Sequence, residues 1–114
     1  MEKILVLIPT YNEVKRLPPT LKKILNLKKK LKKYNIQIIV INESDDNLKD
    51  IIKKIDSKIM FIQKKNREGK GKSLIDGLKY KKNYIKFDYF LYLDADNSVD
   101  IIYLKKFLLK KFDL

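Results

Sequence analysis

Two carboxylates with one residue between them, Asp94-Ala95-Asp96, directly follow the apolar run Tyr89-Phe90-Leu91-Tyr92-Leu93. Paired oxygen ligands of this kind, placed where a strand breaks into a turn, can share a divalent cation. Such a cation neutralises a diphosphate and stabilises it as a leaving group. The structural alternative is a surface turn whose aspartates cap a helix starting near Asp100. The chain contains neither histidine nor cysteine, so any metal must be held by oxygen, which favours a hard ion such as Mg²⁺ or Mn²⁺. The same absence removes the commonest general base and any disulfide or thiolate site.

Three other polar clusters have chemical potential. They are Pro9-Thr10-Tyr11-Asn12-Glu13, Asn42-Glu43-Ser44-Asp45-Asp46, and Asn66-Arg67-Glu68-Gly69-Lys70-Gly71-Lys72. Each follows a short apolar run. In an open parallel sheet, ligands bind beyond the carboxyl ends of the strands, so folding is expected to bring all four clusters to one rim.

The elements that must position them follow from periodicity. Ile4–Ile8 and Ile36–Ile41 read as strands buried on both faces, with Ile59–Ile62 and Tyr89–Leu93 as the third and fourth strands. Leu17, Leu21, Ile24, Leu25, Leu27 and Leu31 recur at helical spacing. Leu48–Ile55, Ser73 to about Lys86, and Ile101–Phe112 read as further helices, with Gly69 and Gly71 marking the turn after the third strand. Strands alternating with helices predict right-handed crossovers and an α/β, Rossmann-like domain: a mostly parallel four-stranded sheet with helices on both faces.

The 114 residues are enough for one modest core, and an apolar share of 45% is ordinary for a globular chain. The net charge of +13 invites an anionic partner, but nearly all of it is lysine; Arg16 and Arg67 are the only arginines. Bidentate reading of phosphates and bases recruits arginine, so nucleic acid is the weaker reading, and most lysines are expected to solvate helix faces. No segment approaches the roughly 18 apolar residues of a membrane span, and the first residues read as a strand rather than a leader. A cytoplasmic protein, or one peripheral to a membrane, is expected.

Taken together, the motifs resemble family 2 (GT-A type) glycosyltransferases, and within them the donor-binding half of dolichol-phosphate mannosyltransferases. Ile8-Pro9-Thr10-Tyr11-Asn12-Glu13 resembles the family's opening motif, Asn66 through Leu74 its glycine-lysine-glycine segment, and Asp94-Ala95-Asp96 its metal motif, in the family's order. The resemblance implies a UDP- or GDP-sugar donor, Mg²⁺ or Mn²⁺, and transfer of the sugar to a lipid phosphate or another acceptor. It places Pro9, Tyr11 and Glu13 in the nucleoside pocket, with Ile41 and Glu43 beside the base and Glu43 accepting from its N–H groups. Asp94 would approach ribose and metal, Ala95 would contribute backbone, and Asp96 would be the principal metal ligand.

The chain departs from that pattern in two places. Asn42-Glu43-Ser44 stands where the family has two aspartates and a glycine, and Ser98 stands where the lipid-linked enzymes often have glutamine. The chain also ends one helix after the metal motif, so residues 1–114 are expected to form a single donor-binding domain, truncated relative to the family. No residue can be named as the catalytic base; the acceptor half would come from a second polypeptide or a homo-oligomer. Two rival readings remain. Asn66 through Ser73 nearly fits a phosphate loop, with Asn66 in place of its first glycine. The basic amphipathic stretch from Ile101 to Phe112 would suit a non-catalytic module for nucleic acid or anionic membranes.

Overall fold

The computed structural model describes residues 2–82 and 87–95. The elements run β1 (Glu2–Thr10), α1 (Leu17–Lys30), β2 (Tyr34–Asn42), α2 (Leu48–Ile55), β3 (Met60–Gln63), α3 (Lys70–Lys82) and β4 (Tyr89–Tyr92). The four strands form one sheet in the order β3-β2-β1-β4, and every pairing is parallel. The α/β fold expected from the alternation of elements is therefore present, with the first two strands at its centre.

That centrality explains the unbroken apolar runs. Ile4, Val6 and Ile8 pack on one face with Ile36, Ile38 and Val40, under Leu17, Leu21 and Ile24 of α1 and Leu48 and Ile52 of α2. Leu5 and Leu7 point to the other face with Ile39 and Ile41, where Leu74 and Leu78 of α3 cover them. A strand with helices on both sides has no solvent face, so alternation disappears from its sequence. α3 lies especially close to the sheet: a Cβ on Gly77 would come within 2.8 Å of Leu7 Cδ2 and 3.1 Å of Ile41 Cδ1.

β1 and β2 run beyond Ile4–Ile8 and Ile36–Ile41 at both ends, β3 ends at Gln63 rather than Ile62, β4 ends at Tyr92 rather than Leu93, and two element starts also move. β3 starts at Met60 rather than Ile59, whose amide instead closes a turn on Asp56 O (3.2 Å). α3 starts at Lys70 rather than Ser73, which takes Gly71 into the helix. The reason is tertiary: the orphan amides ahead of α3 are satisfied by Glu43, far away in sequence, a start signal that no local pattern carries. The helix expected over Ile101–Phe112 and the last residues of the one expected to run to Lys86 lie outside the described residues.

Candidate functional site

The carboxyl ends of β1, β2 and β4 open on a cleft of about 410 Å³. β1 delivers Pro9, Tyr11 and Glu13; β2 delivers Glu43; the loop before α3 delivers Arg67, Gly69 and Lys70; β4 leads into Asp94 and Ala95. Motifs more than 80 residues apart in sequence thus share one wall, because β1 hydrogen-bonds to both β2 and β4.

The turn after β1 is built to hold Tyr11 outward. Asn12 adopts a left-handed conformation (φ 57°), which asparagine tolerates better than most residues. Its amide donates to Ser44 Oγ at 2.9 Å, and the Ser44 hydroxyl lies 2.6 Å from the Asp46 carboxylate. Thr10 donates to Asn42 Oδ1 at 2.8 Å, and the Glu43 amide donates to Thr10 O at 3.0 Å. Ser44, where the related pattern has glycine, therefore fixes the first loop to the second.

Tyr11 is 40% exposed, and the Arg67 guanidinium carbon stands 4.0 Å from its ring centroid. Beneath them, Glu13 Oε1 accepts from Arg16 at 2.7 Å. Glu13 Oε2 is buried without a hydrogen-bond partner among the described residues. A buried carboxylate oxygen left unpaired is costly, and the ion pair with Arg16 is what holds the Glu13 carboxylate there.

At the far end, Asp94 Oδ1 accepts from Lys70 Nζ at 3.0 Å and from the Tyr92 hydroxyl at 2.5 Å. The hydrogen bond to Asp94, then that to Tyr92, holds the Lys70 ammonium above the usual lysine range. Burial, then the bond to Asp94, pushes the Tyr92 phenol up. Thr20 of α1 donates to Ala95 O at 3.0 Å and fixes the backbone directly after Asp94. Asp94 thus offers an oxygen ligand that already holds a cationic group. Asp96 lies outside the described residues.

Glu43 is 92% buried, being 8% exposed, and its carboxylate faces the start of α3. Oε2 accepts the amides of Glu68 and Gly69, the latter at 3.0 Å, and Oε1 accepts from Ser73 Oγ at 2.9 Å. Burial acts to raise its pKa but is outweighed by the bonds from Glu68, Ser73 and Gly69 and by the charge of Lys64, so the net shift is downward. A phosphate loop would present these same amides to a nucleotide. Here a carboxylate fills that place, and Lys72 turns away to Asp76 (3.3 Å).

Of the residues singled out in the sequence, Pro9, Tyr11, Glu13, Glu43, Asp94 and Ala95 line the cleft together. Ile41 does not: it is fully buried beneath α3, against the position of Gly77. The sequence reading passed over Arg16 and Arg67 as site residues. Their rarity was the available signal, since the only two arginines among 27 basic residues both line the cleft.

The model of the family described as glycosyl transferase family 2 matches residues 5–112. Over 103 residues the chain is 35% identical to poly-beta-1,6-N-acetyl-D-glucosamine synthase of Staphylococcus aureus (strain COL), covering 88% of this chain and 23% of that protein. Protein MJ0544 of Methanocaldococcus jannaschii is 30% identical over 115 residues, covering 96% of this chain and 47% of its own length. The chain therefore spans between about a quarter and about half of these relatives. Among solved structures, residues 1–349 of S. aureus TarS in complex with UDP-GlcNAc align with a TM-score of 0.67 at 22% identity, over 96% of this chain and 32% of that one. The mannosyltransferase PcManGT from Pyrobaculum calidifontis, in complex with GDP-Man and Mn²⁺, gives 0.66 at 20% identity, over 82% of this chain and 27% of that one. At these identities the likeness establishes a shared fold.

Proposed function

Since the chain belongs to glycosyl transferase family 2, we propose that its cleft binds a nucleotide-sugar donor for sugar transfer to a lipid phosphate or another acceptor. The observation that carries this reading is the convergence of Tyr11, Glu13, Arg67, Lys70 and Asp94 on one cleft at the carboxyl ends of the strands. Each has a task that suits a different part of such a donor. Tyr11, which lines the cleft with Pro9, offers a ring for the base or ribose to pack against. Glu13, which lines the cleft, suits an N–H or hydroxyl of the nucleoside. Arg67 and Lys70 supply positive charge for the diphosphate.

The donor set fits a divalent cation. Asp94 would hold it, with Asp96 as the proposed second ligand, and without histidine or cysteine only oxygen ligation is open to the chain. When bound, Mg²⁺ or Mn²⁺ supplies charge neutralisation of the departing nucleoside diphosphate. Lys70 would then give up Asp94 and turn to a phosphate oxygen, a short movement for an exposed side chain.

Residues 1–114 are proposed to act as one donor-binding domain, with the acceptor side completed by further polypeptide or a second copy. No helix among the described residues is long and apolar enough to cross a membrane. A lipid-phosphate acceptor would be met by peripheral contact.

A thermal-shift panel tests the reading, because a ligand that binds only the native state raises the midpoint. UDP, GDP and their sugar conjugates should each be compared with ATP, with and without Mn²⁺. A Mn²⁺-dependent shift with a uridine or guanosine compound, larger than any with ATP, is expected. A larger shift with ATP would replace this reading with a nucleoside-triphosphatase one.

A further inference from the structure

The second cluster of the sequence contributes one carboxylate to the cleft, and the structure turns it toward the protein itself. Glu43 at the end of β2 spans to the segment ahead of α3, where three donors meet its two oxygens: the Glu68 amide, the Gly69 amide at 3.0 Å and the Ser73 hydroxyl at 2.9 Å. The two amides converge on the single oxygen Oε2, and Gly69 then leads the chain into α3 through a left-handed conformation (φ 90°) that glycine adopts without strain. An ionised carboxylate at the amino end of the 13-residue helix α3 is also favoured by the helix dipole.

The neighbours of the clamped amides matter most. Arg67 immediately precedes Glu68, and Lys70 immediately follows Gly69. Arg67 reaches Tyr11 on one side of the cleft, and Lys70 reaches Asp94 on the other. The carboxylate thus anchors the short backbone stretch from which both cleft cations project. An aspartate at position 43 would fall short by one methylene, so the longer arm of glutamate is what spans β2 to α3.

We propose that Glu43 is a positioning residue, whose carboxylate sets Arg67 and Lys70 for the diphosphate rather than reading the nucleotide base. This rests on the donor-binding reading above. Three of the roughly four lone-pair directions of the carboxylate are spent on the chain's own donors. Base recognition falls instead to the cleft residues that follow β1, Tyr11 and Glu13.

Pyrophosphate separates the two roles, because it carries the diphosphate and no base. Calorimetric titrations of Mn²⁺-pyrophosphate, Mn²⁺-UDP and Mn²⁺-GDP should be run on the chain and on Glu43→Ala, with Glu43→Gln as a second variant that keeps one acceptor oxygen. All three ligands should weaken by a common factor of about tenfold in Glu43→Ala, leaving the UDP-to-GDP ratio unchanged, and by less in Glu43→Gln. Hydrogen exchange at the Glu68 and Gly69 amides should accelerate at least about tenfold in Glu43→Ala, in line with the lost acceptor. A changed UDP-to-GDP ratio with pyrophosphate affinity intact would overturn the proposal, as would unchanged affinity for all three. Unaltered exchange at the two amides would overturn the clamp without reference to any ligand. If the unsubstituted chain binds none of the three, the donor reading fails, and the exchange result judges the clamp on its own.

Discussion

Arg67 and Tyr11 are stacked, with the guanidinium carbon 4.0 Å from the ring centroid, and this contact joins the loop after β1 to the loop before α3 across the mouth of the cleft. A cation–π pair at an exposed site contributes about 0.5–1 kcal/mol. Arg67→Ala should therefore lower unfolding stability by no more than about 1 kcal/mol while weakening nucleoside diphosphate binding about tenfold. Lysine should not restore binding, because it lacks the planar face that stacks on the ring. Urea melts and calorimetric titrations of Arg67→Ala and Arg67→Lys check both statements.

Ile41 gives the opposite profile. It is fully buried and packs beneath α3 beside Leu7. Ile41→Val should cost about 0.5–1.5 kcal/mol of stability and leave nucleotide affinity within twofold. Denaturant unfolding and a titration on the same sample decide it.

Acid should reveal the Glu43 clamp. Its folded pKa lies below the ordinary glutamate value of 4.5, as that of Asp76 lies below 3.8, the latter chiefly through its hydrogen bond to Lys64. A depressed carboxylate contributes stability that is fully present above its unfolded pKa and is lost as pH falls through the folded one. Unfolding stability should thus be level near neutrality and decline below about pH 4.5. Glu43→Gln should show a shallower decline over the same window, measured by chemical denaturation at several acid pH values. An identical acid profile in the variant would mean that Glu43 carries no such linkage.

Lys72 discriminates between nucleotide-binding modes. It pairs with Asp76 on the outside of α3, whereas a phosphate loop would need it on the β- and γ-phosphates. Lys72→Ala should leave nucleotide affinity within twofold of the parent in a titration series. Loss of binding comparable to that in Tyr11→Ala would contradict the geometry.

Much of this arrangement was legible in the residues. β1 and β2 were visible because strands covered on both faces lose their polar alternation, and α2 because Leu48, Ile51, Ile52 and Ile55 form one stripe. The three motifs marked the cleft because parallel strands deliver their carboxyl ends to one rim. What stayed hidden depended on distant partners. The start of α3 at Lys70 is fixed by Glu43, 25 and 26 residues away from the amides it accepts. The same engagement turns Glu43 toward the helix, and Gly77 draws α3 over Ile41 so that it lies in the core. Arg67 was read for its contribution to charge, because nothing local says that it reaches back to Tyr11.

The most direct test of the account is a calorimetric titration of UDP and GDP in the presence and absence of Mn²⁺, performed on the chain and on Asp94→Ala. The account predicts binding of at least one of the two that requires Mn²⁺ and is lost in Asp94→Ala, with the variant's thermal midpoint essentially unchanged. Equal Mn²⁺-dependent affinity in the variant, or no binding of either nucleotide by the parent chain, would contradict it.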